Sequence, residues 1–135
     1  MTHHDCDICI IGGGSGGLSL AAGAAQLGAK IVLFEASEMG GDCLNSGCVP
    51  SKALLAAAKA AHHAKGAASM GIYGSPPKID FAAVKAHLAA VIDGIAPHDS
   101  VERFESLGVT VISEHASFTG RREVASKNHT VRAKY

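Results

Sequence analysis

Two cysteines five residues apart, Cys43 and Cys48, lie in the run Gly40-Gly41-Asp42-Cys43-Leu44-Asn45-Ser46-Gly47-Cys48-Val49-Pro50-Ser51-Lys52. Thiols at this separation can interchange between a dithiol and a disulfide only if the chain between them leaves regular helix. Five helical residues rise about 7.5 Å and turn about 140°, whereas a disulfide needs Cα atoms within about 6.8 Å. Asn45, Ser46 and Gly47 supply the flexible residues for a distorted turn. Pro50 suits the first turn of a helix, which places Cys48 near that helix's N-terminus and Lys52 one turn on. A helix N-terminus and a nearby ammonium both favour the thiolate, the reactive form of cysteine. The spacing is not the two-residue spacing usual in zinc pairs. Redox chemistry is the reading, with buried free thiols or a metal pair as the alternatives.

A second constellation precedes it. The apolar run from Asp5 to Ile11 reads as a buried strand and ends in Gly12-Gly13-Gly14-Ser15-Gly16-Gly17. Gly12, Gly14 and Gly17 fit G-x-G-x-x-G. The residues Leu18 to Leu27 have a helical composition, with Gly28 as the stop. Lys30 to Phe34 then reads as a second strand, with Glu35 at its end. In a dinucleotide site Gly12 permits the tight turn, Gly14 lets backbone N–H groups approach a pyrophosphate, and Gly17 lets helix pack on strand. The helix N-terminus adds unpaired N–H groups and about half a positive charge. Glu35 is near the expected ~20-residue offset of a ribose-binding acid. The alternative is a glycine-rich turn with no ligand.

The glycine loop, Glu35 and the cysteine run together resemble the flavin-dependent pyridine nucleotide–disulfide oxidoreductases. The stretch Ile95 to Phe104 looks most like the mercuric reductase-like branch, with dihydrolipoamide dehydrogenase-like and glutathione reductase-like enzymes as the alternatives. The resemblance implies an α/β, Rossmann-like, three-layer FAD-binding domain. It implies that the loop Gly12, Gly14, Ser15, Gly16 and Gly17 holds the FAD pyrophosphate and that Glu35 holds the ribose. Gly41, Asp42, Cys43, Cys48 and Lys52 would also border the cofactor. Cys43 would be the interchange thiol, Cys48 the charge-transfer thiol, and Lys52 a stabiliser of reduced flavin. Electrons would pass from NAD(P)H through FAD and the disulfide to a small-molecule disulfide or Hg(II), in a homodimer. Members of the family are much longer than 135 residues. The expectation is therefore an N-terminal part, 1–135, of the FAD domain, ending before that domain closes. The NAD(P)-binding and dimerisation domains are then expected to lie outside this chain. A reading of another class is a flavin-free thiol or metal-binding module.

Composition bounds these readings. Lys+Arg and Asp+Glu are 12 each, so the chain offers no basic field for nucleic acid or an anionic membrane. Hydrophobic residues make up 47%, but 24 of the 135 residues are alanine, a helix-prone composition without a spanning segment. The N-terminus does not read as a secretory signal, and four cysteines then fit the cytosol.

The remaining elements serve as scaffold. Val49 to Ser69 reads as one helix, 71–77 as a loop, and Asp80 as the cap of a helix from Phe81. Pro97 should split that helix, with a second piece from Ser100 to Leu107 ending at Gly108. Val109 to Ile112 is a strand, and Phe118 to Val124 and Thr130 to Tyr135 form antiparallel strands around Gly120 and Asn128. His3 and His4 read as a disordered terminus. Cys6 and Cys9 are three apart on a strand, hence on opposite faces, and are assigned to packing. His62 and His63 diverge on a helix, His98-Asp99 belongs to the turn after Pro97, and no metal site is expected.

Overall fold

The computed structural model describes all 135 residues. The chain runs β1 (Thr2–Cys6), β2 (Ile8–Ile11), α1 (Ser15–Gln26), β3 (Ile31–Phe34), α2 (Gly41–Asn45), α3 (Cys48–Gly66), α4 (Phe81–Ile95), α5 (Val101–Ser106), β4 (Thr110–Ile112), β5 (Ser117–Gly120), β6 (Glu123–Ala125) and β7 (His129–Ala133). Short 3₁₀ turns follow α3 and α4.

β2, β3 and β4 form a parallel sheet in that order, with Ile8 opposite Ile31 and Val32 opposite Thr110. The other four strands form a second sheet in the order β1-β7-β6-β5, parallel between β1 and β7 and antiparallel elsewhere. β3 is buried at every position, as a strand covered on both faces must be. Its side chains alternate between two cores. Val32 and Phe34 join Ile112, Val124 and Val131 in one cluster with residues of the second sheet. Ile31 and Leu33 join Leu18 and Ala21 of α1 and Phe104 of α5 in the other. The layers are therefore helix, parallel sheet and second sheet. The α/β, Rossmann-like, three-layer expectation holds.

Local chemistry explains most element ends. Asp80 Oδ1 accepts from the N–H groups of Ala82 and Ala83 at 3.0 and 3.1 Å and starts α4. The helix stops at Ile95, ahead of Pro97, and Ser100 caps α5 by accepting from Arg103 N–H at 3.2 Å. β5 and β6 turn at Gly120, and β6 and β7 turn before His129.

Four expectations are corrected. The single strand over Asp5 to Ile11 is two strands broken at Asp7. The Asp7 carboxylate accepts the Lys30 N–H at 2.8 Å and the Lys134 ammonium at 2.6 Å. The chain pairs with β7 before this junction and with β3 after it. His3 and His4 are not disordered but lie in β1, and His4 Nε2 and His129 Nδ1 share a 3.0 Å hydrogen bond. Cys6 and Cys9 do not point to opposite faces. The break at Asp7 resets the alternation, so both reach the core between the sheets. Finally, α1 begins at Ser15 and α3 ends at Gly66, with a 3₁₀ turn completing the run that read as one helix.

Candidate redox site

β2 delivers the chain to the glycine loop, and α1 leaves it. Gly17 stands where α1 crosses the loop, and a Cβ there would lie 2.0 Å from the Gly12 carbonyl oxygen. Only a glycine lets helix and loop approach so closely. A Cβ on Gly14 or Gly16 would meet nothing within 4 Å, so these positions border open space. α1 has Gly14 at its N-cap, no side-chain cap and no acid in its first turn. Its leading N–H groups thus remain free for an anion.

Glu35 leaves the end of β3 and turns back under this loop. Its Oε2 accepts the Gly13 N–H at 2.6 Å, and its Oε1 accepts the Ser37 N–H at 2.7 Å. Each carboxylate oxygen keeps a lone pair for a further donor. Glu35 also lines a polar cleft of about 390 Å³ with Ser37, Glu38, Gly41, Asp42, Asn45 and Ser46. Ser37 and Glu38 were not singled out in the sequence, and Asn45 only as part of the flexible turn between the cysteines. The signal was Glu35-Ala36-Ser37-Glu38, a polar turn directly after a buried strand.

The cysteine segment is docked on the glycine loop through backbone. Gly40 N–H donates to the Gly13 carbonyl at 2.8 Å, and Gly14 and Gly40 form an isolated parallel bridge. Gly41, at φ +56°, lies so close that a Cβ would come within 2.9 Å of Gly14 Cα. α2 carries Cys43 and ends at Asn45, and α3 begins at Cys48. Between them Gly47 N–H donates to Asp42 O at 2.5 Å, where a Cβ on Gly47 would lie only 2.8 Å from that oxygen. This is the distorted turn that the five-residue spacing required.

Cys43 is half-buried and Cys48 exposed, both as free thiols. The Cys48 thiol beside it, aided by burial, pushes the Cys43 thiol above its ordinary range, while the Lys52 ammonium pulls the other way. Lys52 is exposed on the first turn and a half of α3. Cys43, Cys48 and Lys52 thus share one neighbourhood, continuous through Gly40–Gly41 with the glycine loop.

The other candidates stand apart. Burial pushes the Cys9 thiol up to about 11 and that of Cys6 upward as well, which makes both poor nucleophiles. His62 and His63 have ring centres 6.2 Å apart on α3. His98 and Asp99 border a cleft of about 330 Å³ with Ser15, Ser19 and Arg103. No group of three or more His, Cys, Asp or Glu side chains is gathered to hold a metal ion. No helix is long and apolar enough to cross a membrane.

Comparison with known proteins gives the family. The pyridine nucleotide-disulphide oxidoreductase family matches residues 6–135. Dihydrolipoyl dehydrogenase of Thermus scotoductus is 51% identical over 70 residues, 52% of this chain and 15% of that protein. Dihydrolipoyl dehydrogenase of Halobacterium salinarum is 38% identical over 115 residues, 84% of this chain and 24% of that protein. Mercuric reductase of Streptomyces lividans is 46% identical over 85 residues, 62% of this chain and 18% of that protein. The chain spans a quarter or less of the length of these relatives.

Proposed function

The chain belongs to the pyridine nucleotide-disulphide oxidoreductases, and from that premise we propose that it is the N-terminal, flavin-binding part of an FAD-dependent oxidoreductase. In this reading Cys43 and Cys48 form its redox-active pair. The observation that carries the reading is the docking of the cysteine turn on the glycine loop, through Gly40 N–H to Gly13 O at 2.8 Å and the bridge from Gly14 to Gly40. In this reading the uncapped end of α1, the polar cleft beside Glu35 and the thiol pair follow one another along the path the cofactor would take.

The residues present fit FAD. The open faces of Gly14 and Gly16 leave room for a pyrophosphate at the uncapped N-terminus of α1. The cleft beside Glu35, with two further lone pairs on its carboxylate, suits ribose hydroxyls. When bound, FAD supplies two-electron chemistry, accepting hydride equivalents from NAD(P)H and passing them on to the disulfide. The chain's own residues do the rest. A Cys43–Cys48 disulfide takes up two electrons and two protons to become two thiols. The Cys43 thiolate attacks a substrate disulfide, one substrate thiol leaves, and the Cys48 thiolate then displaces the second from the mixed disulfide. Lys52, next to the pair, stabilises negative charge there. Assigning Cys48 to the flavin side covers the more exposed thiol and leaves Cys43 to meet substrate.

The substrate is a small-molecule disulfide or Hg(II). The likeness of Ile95 to Phe104 to the mercuric reductase-like branch favours the metal, and dihydrolipoyl dehydrogenase relatives mark the disulfide route. The whole protein works as a cytosolic homodimer, with the exposed apolar residues of α3 and α4, such as Leu55 and Phe81, available for cover.

The test is the visible spectrum of the full-length protein and its variants. Bound flavin with a long-wavelength charge-transfer band on reduction is expected. Cys48→Ser should lose that band, and Cys43→Ser should keep it while losing disulfide turnover. A band that persists in Cys48→Ser would overturn the assignment.

A further inference from the structure

α2 has five residues and its N-cap has no side-chain bond, and a helix so short is not stable by itself. It also starts on two successive glycines in the left-handed region, Gly40 at φ +87° and Gly41 at φ +56°. Glycines lose the most conformational freedom on ordering, so the element carrying Cys43 hangs on a weak hinge. One side chain spans that hinge. The Asn45 amide Nδ2 donates to the Met39 carbonyl at 3.1 Å and to the Gly41 carbonyl at 3.0 Å. These are the carbonyls on either side of Gly40, and both bonds are partly shielded from water. The other side-chain bonds of the turn are long. Ser46 Oγ stands 3.4 Å from Asp42 Oδ1 and 3.5 Å from Asp42 O, both exposed.

We propose that Asn45 is a positioning residue that sets the redox poise of the cysteine pair, by clamping the Met39–Gly41 hinge so that Cys43 stays aimed at Cys48. The inference rests on the pair forming a disulfide, as in the proposed function, and extends it to what determines how readily that disulfide is reduced. Closing a disulfide is favoured by the effective concentration of one thiol at the other. A hinge left free lowers that concentration in the dithiol and so weakens the disulfide against any external dithiol. Asn45 touches neither sulfur in this scheme and acts through the backbone of α2.

The experiment equilibrates the full-length holoprotein with dithiothreitol redox buffers of graded ratio. The Cys43–Cys48 disulfide and reduced dithiothreitol exchange to two protein thiols and oxidised dithiothreitol, two electrons and two protons moving together. The fraction reduced is read by alkylation and mass spectrometry. Asn45→Ala and Asn45→Asp are expected to shift the equilibrium constant roughly three- to tenfold toward the dithiol, a part only of the net strength of two bonds, because the clamp acts in both redox states. Asn45→Asp matters because it keeps the shape but has no donor. Asn45→Ser, with a single donor, should fall between, and it serves as the test if the other two do not fold. A purely structural role would lower the melting temperature and leave the redox ratio where it was, and that result overturns the proposal. If the wild-type pair forms no disulfide in any buffer, the proposed function fails and the inference with it. If the wild type forms it and folded Asn45 variants do not shift, only the inference fails.

Discussion

The chain carries two cysteine pairs, and they have opposite fates. Cys6 and Cys9, three residues apart, straddle the break between β1 and β2 and belong to the core between the sheets. Cys43 and Cys48, five apart, straddle the turn between α2 and α3, one half-buried and the other exposed. The first pair has the spacing associated with redox motifs and metal sites; the second does not. Yet burial pushes both thiols of the first pair up, Cys9 to about 11, while in the second Cys43 is raised chiefly by its neighbour Cys48 and drawn back by the Lys52 ammonium, with open space beside it. The difference teaches that thiol chemistry is set by solvent access and nearby charge more than by the number of intervening residues.

The comparison can be broken most directly by alkylation. At pH 8 a thiol titrating near 11, as Cys9 does, is only about a thousandth thiolate. Iodoacetamide should therefore modify the exposed Cys48 much faster than Cys9, as followed by peptide mass spectrometry. Equal rates would mean that the core between the sheets opens freely. Bound FAD should sharpen the contrast further. With flavin present Cys48 should be strongly protected and Cys43 should become the faster of the two, while Cys9 is unaffected. Unchanged Cys48 labelling would place the cofactor elsewhere.

Stability should divide the pairs in the reverse sense. Cys6→Ser puts a hydroxyl into a cluster where Cys6 is 7% exposed, at a cost of about 1–3 kcal/mol. Cys48→Ser should stay within about 0.5 kcal/mol. Urea unfolding of both variants decides this, and a costly Cys48→Ser with a neutral Cys6→Ser would invert the assignment of roles.

The smallest expected effect concerns pH at the far end of β1. Burial, followed by the nearby His129, Lys30 and His3, lowers the His4 pKa below its ordinary 6.5. The unfolded chain then binds the proton more readily, so stability is complete above about pH 6.5 and falls as pH drops below it. Amide hydrogen exchange should show β1, which carries Cys6, opening at pH 5 more than at pH 7.5, and His4→Gln should flatten that dependence. A pH-independent β1 in the wild type would dispose of the idea. Glu114 behaves in the same direction at lower pH. The Ser126 hydroxyl and the Asn128 donors hold its carboxyl down at about 2, so the stability it adds is complete above its ordinary 4.5 and is lost progressively as pH falls from there toward 2.

Much of the site was legible because its requirements are local. Gly17 must be glycine because the Gly12 carbonyl, five residues earlier, leaves no room. Gly47 answers to Asp42, and Asp80, Pro97 and Ser100 set element ends within a few residues of themselves. Glu35 was recognised from its offset, but not its bond to Gly13 N–H, which fixes the loop from 22 residues away. The split at Asp7 was not legible. It depends on Lys134, 127 residues distant, and an apolar run gives no sign of such a partner. The same hidden junction defeated the alternation argument for Cys6 and Cys9.

By itself the sequence determined which chemistry is available: a glycine turn opening a helix, an acid past the second strand, and two thiols joined by a bendable segment with a lysine close by. These depend on steric limits and hydrogen bonds that operate over a few residues. Only the tertiary structure decided which thiols are buried, where the first strand breaks, and that the cysteine turn rests on the glycine loop. Those outcomes come from desolvation and cross-strand partners contributed by residues far apart along the chain, and no local pattern records them.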